Sequence, residues 1–293
     1  MFSKWIIAIV IFLALAAGVF VFVGTDKSVP VEQPLPAVAE VPKVENPKHE
    51  VIGLSVESRP IEAYTFGVGT TTLVFVGGMH GGYEWNSALL AYQFIDELYA
   101  HPEMVPRGQR VVVIPIANPD GVYKVTGKEG RFVLADVADV SKKPVGYGRL
   151  NAHEVDLNRN FDCKWQPKAT WRGSAVSAGT KAFSEPEAVA LRDFLTPLHP
   201  ESVVFWHSQA NAVYASECKN GILPATLTLM DIYAKAAGYQ AVKKFDAYEV
   251  TGDAEGWLAS IGIPAVTVEL KTHETTEWER NLLGIKALLS RAR

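Results

Sequence analysis

An α/β fold, a single domain built on one open sheet, is predicted by three features of the chain. Apolar runs of strand length at 73–76, 110–116, 203–206 and 264–268 alternate with stretches of helical periodicity. A polar group stands at the end of each run: His80, Asn118, His207 and Glu269. Ligands of open α/β sheets bind outside the carboxyl ends of the strands, so four polar ends predict one convergent site rather than four separate core groups. Finally, about 240 residues remain once an atypical N-terminus is set aside, enough for one domain with a large core.

That N-terminus is set apart by composition. Residues 5–23 are apolar without a break, after the short basic start Met1-Phe2-Ser3-Lys4. About 19 apolar residues cross a bilayer, whereas the core of a cleavable signal runs to roughly 7 to 15. Residues 1–24 therefore predict an uncleaved transmembrane anchor, with a signal peptide cut near Ala16-Ala17-Gly18 as the alternative. Lys4 before the span, with no comparable charge after it until Lys27, favours a membrane-anchored domain on the extracytoplasmic side. Residues 25–50 carry repeated X-Pro steps and no aromatic residue, the composition of an extended linker. The domain proper is expected at 51–293.

Within it, 52–61 and 63–67 read as two short strands around Ser58-Arg59-Pro60. The buried strand 73–76 is broken by Gly77-Gly78, just before His80-Gly81-Gly82-Tyr83-Glu84. Asn86 or Ser87 can cap a helix whose apolar positions are Leu89, Leu90, Phe94, Ile95 and Leu98. The strand 110–116 runs into the turn signal Asn118-Pro119-Asp120-Gly121, and 122–149 has no consistent period. Ser184-Glu185-Pro186-Glu187 opens a helix with a hydroxyl cap, proline in the first turn and acid near the positive end of the dipole. Strand 203–206 delivers His207-Ser208, 226–237 is helical, strand 264–268 delivers Glu269, and a last helix begins near Trp278.

The net charge of −4 and pI near 6.0 offer no basic field for nucleic acid. Lys142-Lys143 and Lys243-Lys244 read as isolated surface pairs, and a monomer is expected.

His80, Glu84 and His207 are the donor types that a catalytic zinc takes, three protein ligands with a fourth position left open. The histidines at 49, 101, 153, 199 and 273 fall in linker, loop or helix-end contexts and are assigned to the surface, with His273 near enough to Glu269 for a supporting role. Glu269 is the candidate base: it shares a strand face with Ala265 and Thr267, opposite Val266 and Val268, though pairing with Lys271 is an alternative. In Asp156-Leu157-Asn158-Arg159-Asn160-Phe161-Asp162, an arginine between two amides offers a fork for a carboxylate, unless Asp156 or Asp162 pairs with it.

His80 with Glu84, the Asn118-to-Gly121 turn, Asp156 to Phe161, His207-Ser208, Tyr248 and Glu269, in that order, resemble the zinc metallocarboxypeptidases of family M14, and the compact bacterial members in particular. The likeness spans 51–293. It implies a mixed eight-stranded twisted sheet between helices and one Zn²⁺ held by His80, Glu84 and His207. It further implies hydrolysis of the C-terminal bond of peptides, peptidoglycan stem peptides among them, by a zinc-held water that Glu269 activates. Arg149 would polarise the scissile carbonyl, Asn158 and Arg159 would bind the terminal carboxylate, and Tyr248 would close over the end group.

This chain departs from the family pattern in placing three residues, not two, between His80 and Glu84, and in bringing Arg149 close to Arg159. Asp253 and Glu255 lie in the loop that in the family lines the pocket for the terminal side chain, and they predict a cationic end group such as lysine, arginine or diaminopimelate, with helix capping by Asp253 the alternative. The only cysteines, Cys163 and Cys218, are expected to form a disulfide in an exported domain. Two other functions compete: a related zinc deacylase acting on N-acyl amino acids, and a catalytically silent peptide-binding module.

Overall fold

The computed structural model describes residues 47–291. In chain order the elements are β1 (Lys48–Leu54), β2 (Pro60–Phe66), β3 (Thr71–Val76), α1 (Trp85–Ala100), β4 (Gln109–Ile114) and α2 (Pro119–Thr126). They continue with β5 (Lys168–Trp171), β6 (Ser174–Ser177), α3 (Pro186–Leu198), β7 (Ser202–Ser208) and β8 (Ala212–Ala215). The last are α4 (Pro224–Ala237), β9 (Gln240–Val242), α5 (Ala254–Ser260), β10 (Ala265–Leu270) and α6 (Trp278–Arg291). Eight strands form one mixed sheet in the order β1-β2-β4-β3-β7-β10-β8-β9, and β5 and β6 form a separate hairpin.

Two apolar cores flank this sheet, and the period of two in each strand assigns side chains to them. Phe75, Val204, Trp206, Val266 and Val268 pack with α1, α4 and α6, while Val74, Val203, Phe205 and Ala265 pack with α3 and α5. Burial on both faces explains why the central strands read as unbroken apolar runs rather than alternating ones.

Several expectations need correction. Among the described residues no helix is long and apolar enough to cross a membrane. That finding runs against the expected transmembrane helix; the stretch at 1–24 and most of the linker lie outside the described residues. Lys48–Glu50, expected as linker, already belong to β1, where Glu50 pairs with Ala63. Helix α1 starts at Trp85 without a side-chain cap, and Asn86 and Ser87 lie inside its first turn. There Ser87 donates back to the Glu84 carbonyl, and Asn86 donates to the carbonyls of Thr272 and Thr275. Helix α3 likewise begins after Glu185, and Ser184 donates to the Glu185 carboxylate. Asn118 is more than a turn residue: its Oδ1 accepts the Gly121 N–H, capping α2.

Candidate active site and metal centre

Strands β4, β3, β7 and β10 are mutually parallel, so their carboxyl ends share one edge of the sheet. In register, Glu269 lies beside His207, and both fall on the α5 face by their alternation with Ala265 and Phe205. Glu269 sits within β10 rather than after it. The longer His80–Glu84 spacing is taken up by one 3₁₀ turn, Gly81–Glu84. Gly81 has φ +52°, and a Cβ there would lie 2.4 Å from the Gly148 carbonyl, so glycine alone fits this close approach. The turn brings Glu84 Oε2 to 3.1 Å from His207 Nδ1, where it also accepts the Ser208 N–H.

The donor atoms of His80, Glu84 and His207 lie within 4.8 Å of one another, all buried, the one such trio among the described residues. The rings of His80 and His207 are 4.8 Å apart. Burial, with the Arg149, His207 and Arg159 charges behind it, holds His80 well below the usual imidazole range. His207 is also depressed by burial, but its flanking carboxylates, Glu255 and Glu84, outweigh that and push it up to about 10 in the metal-free chain. Burial and the Glu84 charge push Glu269 up to about 8.

Do these residues fit a zinc ion? His80 Nδ1 and Glu269 Oε2 are buried without any hydrogen-bond partner. Buried polar atoms are almost always satisfied, and a shared cation with its water would satisfy this cluster. Two imidazoles and one carboxylate are also the donor set that zinc prefers. The fit is good, and the supporting contacts strengthen it. His207 Nε2 faces Glu255 Oε1 at 3.1 Å, and Glu255 in turn accepts from Thr267. Asp156, fully buried, accepts from Arg149 Nε at 2.9 Å; it lies 3.6 Å from His80 Nδ1, outside hydrogen-bond reach, so the backing carboxylate is that of Glu255 behind His207. Carboxylates behind ligating histidines fix ring orientation and raise basicity.

The trio opens into a cleft of about 650 Å³ that also collects Arg149, Asn158, Arg159, Tyr248, Asp253, Glu255 and Glu269. Arg149 is clamped between Asp156 and Glu84, with its guanidinium 4.4 Å from the Trp171 ring centre. Arg159 donates through Nε and Nη2 to the Thr170 carbonyl and through Nη1 to that of Asn158. Asn158 Oδ1 accepts the Ala254 N–H. Tyr248 packs edge-on against Phe245. Asp253 does what the capping alternative holds: its Oδ2 accepts the Gly256 N–H at the start of α5. Both acids of the expected specificity loop are thus already bonded within the protein. Lys271 does not pair with Glu269; its backbone N–H donates to Glu277. Cys163 and Cys218 form a disulfide with Cα atoms 5.9 Å apart. By chain entropy, closing a loop of 55 residues stabilises by about 4 kcal/mol.

Sequence reasoning missed the other wall of the cleft. Tyr83 lies edge-on to Trp171 at 5.2 Å and against His273 at 4.5 Å. Trp171 sits at the end of β5, a short strand that is not among the expected elements. The signal within reach was Tyr83 itself, a bulky aromatic lodged between two candidate ligands.

Comparison with known proteins agrees with this geometry. The family described as Zinc carboxypeptidase (Peptidase M14) matches residues 45–279. Gamma-D-glutamyl-L-diamino acid endopeptidase 1 of Lysinibacillus sphaericus is 23% identical over 238 residues, covering 75% of this chain and 59% of that protein. Murein peptide amidase A of Escherichia coli strain K12 is 28% identical over 153 residues, covering 49% of this chain and 60% of that protein. The match thus spans about 60% of the length of each of these relatives. Among solved structures, bovine thrombin-activatable fibrinolysis inhibitor in complex with tick carboxypeptidase inhibitor superposes with TM-score 0.63 at 21% identity, over 85% of this chain and 88% of that one. Murein-tripeptide amidase from Escherichia coli O157 gives TM-score 0.58 at 22% identity, over 83% and 92%. At such identities these structures speak to the fold alone, and they share the mixed eight-stranded sheet. The family match over most of the chain carries the assignment: the chain belongs to the zinc carboxypeptidase family, M14.

Proposed function

We propose that this chain is a zinc-dependent hydrolase of small peptides, cleaving the amide bond next to a C-terminal residue, with peptidoglycan stem peptides as the substrate class. The observation that carries the reading is the convergence of His80, Glu84 and His207 with Glu269 and Arg149 at the mouth of one cleft. Stem peptides are preferred because two relatives are a γ-D-glutamyl-L-diamino acid endopeptidase and a murein peptide amidase by name. We place the reaction outside the reducing cytosol, on the strength of the Cys163–Cys218 disulfide.

His80, Glu84 and His207 would hold the ion. When bound, zinc supplies a Lewis acid for the scissile carbonyl and makes water a competent nucleophile near neutral pH. Glu269 takes a proton from the attacking water and returns it to the leaving nitrogen, and its free Oε2 suits that task. Burial and the Glu84 charge raise its pKa in the metal-free chain, and a divalent cation held beside it would favour the ionised carboxylate that a base needs. Arg149 turns a fixed positive charge toward the developing oxyanion, held there by Asp156 and Glu84. Asn158 and Arg159 bind the terminal carboxylate with the N–H groups their internal bonds leave over, and Tyr248 closes over it.

The test is mass-spectrometric product analysis of a mixed pool of linear peptides and muropeptides treated with zinc-loaded protein. Release of a C-terminal residue from stem peptides supports the reading. Release of acids from N-acyl amino acids alone favours the deacylase, and binding with no product at all favours a silent peptide-binding module.

A further inference from the structure

His273 lines the same cleft as Arg159 and Tyr248, on the side formed by Ser208 and Tyr83. Tyr83 meets Trp171 at 5.2 Å, and the Arg149 guanidinium lies 4.4 Å from the Trp171 ring centre, so His273, Tyr83, Trp171 and Arg149 form one continuous wall beside Glu84. A peptide whose terminal carboxylate meets Arg159 and whose scissile bond lies beside Arg149 and Glu269 has its acyl side left to run along this wall, where His273 stands.

The hydrogen-bond chain behind His273 fixes its tautomer. Asn86 Nδ2 lies 2.7 and 2.9 Å from the carbonyls of Thr272 and Thr275, so this atom must be the amide nitrogen. Its Oδ1 is then an acceptor, and the Ser208 hydroxyl, 3.0 Å away, donates to it. With its one proton used, Ser208 Oγ can only accept from His273 Nδ1 at 2.8 Å. The neutral imidazole is thus protonated at Nδ1 and bare at Nε2. Asn86 and Ser208 are buried, so water does not compete for this relay. Burial of the ring, and the positive charges of Arg172 and Arg149 beside it, keep the imidazole neutral against the opposing pull of Glu84. Nε2 has no partner among the described residues, and the ring lines the cleft, tilted against Tyr83.

We infer that His273 is a substrate-positioning residue whose Nε2, held as an acceptor by the Asn86–Ser208 relay, takes the backbone N–H of the residue on the acyl side of the scissile bond. This rests on the hydrolase reading above and extends it: the ligand class is a peptide with an amide N–H one residue before the cut, which an N-acyl amino acid with a simple acyl group lacks. A bond of this kind is worth about 1.4 kcal/mol at most, roughly tenfold in affinity.

Two measurements test it. The first is the ¹⁵N resonances of the His273 ring near pH 7.5 in the zinc-loaded wild type and in Ser208→Ala. Protonation at Nδ1 in the wild type, lost to a mixture in the variant, is expected; an Nε2-protonated wild type overturns the inference. The second uses paired substrates that differ only in replacement of that amide N–H by an ester oxygen. The wild type should favour the amide roughly tenfold in KM, with kcat little changed; His273→Ala should abolish the preference, and His273→Gln, which keeps an acceptor, should restore part of it. A preference unchanged in His273→Ala overturns the inference and leaves the hydrolase standing. A wild type that neither binds nor cleaves either substrate overturns the hydrolase reading, and with it the substrate half of this inference.

Discussion

Glu255 was expected to select a cationic substrate side chain, and its contacts point instead to the metal. Its Oε1 faces His207 Nε2 at 3.1 Å and accepts from Thr267 at 3.0 Å. Glu255→Gln keeps the shape and the acceptor atom but removes the charge. Loss of a carboxylate behind a ligating histidine typically costs about 10- to 100-fold in metal affinity, or roughly 1.4 to 2.7 kcal/mol. Glu255 is buried, so solvent does little to soften the loss, and the upper half of that range is expected. The assay is zinc competition against a chromophoric chelator, run beside turnover of matched basic and neutral peptides at saturating zinc. The expected result is weaker zinc binding with the basic-to-neutral ratio unchanged. Unchanged zinc affinity with a shifted ratio would refute the reasoning and return Glu255 to the specificity pocket.

Glu269→Gln should retain zinc while kcat falls by about 10²- to 10⁴-fold, the usual worth of a general base, as read by metal analysis and initial rates together. Gly81→Ala forces a Cβ to within 2.4 Å of the Gly148 carbonyl at φ +52°, so it should lower the urea midpoint and, by displacing Glu84, weaken zinc binding in whatever folded protein remains. Asp253 should make stability depend on pH. Burial, then the Glu255 charge, raises it to about 6 in the folded state, so its contribution is full below its unfolded value near 4 and is lost as pH rises through 6. Partial solvent access scales the loss to about 1 to 2 kcal/mol, below the roughly 3 that two pKa units would give. Asp253→Asn, which still caps α5, should therefore gain on the wild type between about pH 4 and pH 8 in urea titration; an identical pH slope in the two proteins would contradict this.

The central sheet was readable because burial on both faces leaves unmistakable apolar runs, and the site was readable because polar groups end those runs at one edge. His80, His207 and Glu269 followed from that pattern alone. Glu84 was harder: the glycines at 81 and 82 suggest that a longer turn can reach the same point, and the structure shows that it does so through one 3₁₀ turn with Gly81 at φ +52°. What stayed hidden depends on contacts distant in sequence. The hairpin β5–β6 has few buried positions and so no period; it is held by the Thr170 carbonyl accepting from Arg159 and by Trp171 against Arg149. Asn86 reads as a helix cap in sequence, yet its side chain reaches a loop 186 residues later. Asp253 and Glu255 read as pocket acids because a linear sequence does not reveal that a helix N-terminus and a histidine have already claimed them. The membrane anchor was inferred from hydropathy alone, and none of the described helices supports it.

The central claim is that one metal ion is held by three side chains, two from the loop and 3₁₀ turn that follow β3 and one from the end of β7. It is tested most directly by zinc content per chain, after dialysis against metal-free buffer, for the wild type and for His80→Ala/His207→Ala, with circular dichroism confirming that both are folded. The account predicts one zinc per wild-type chain and essentially none in the folded variant. Equal zinc in the two proteins would contradict it.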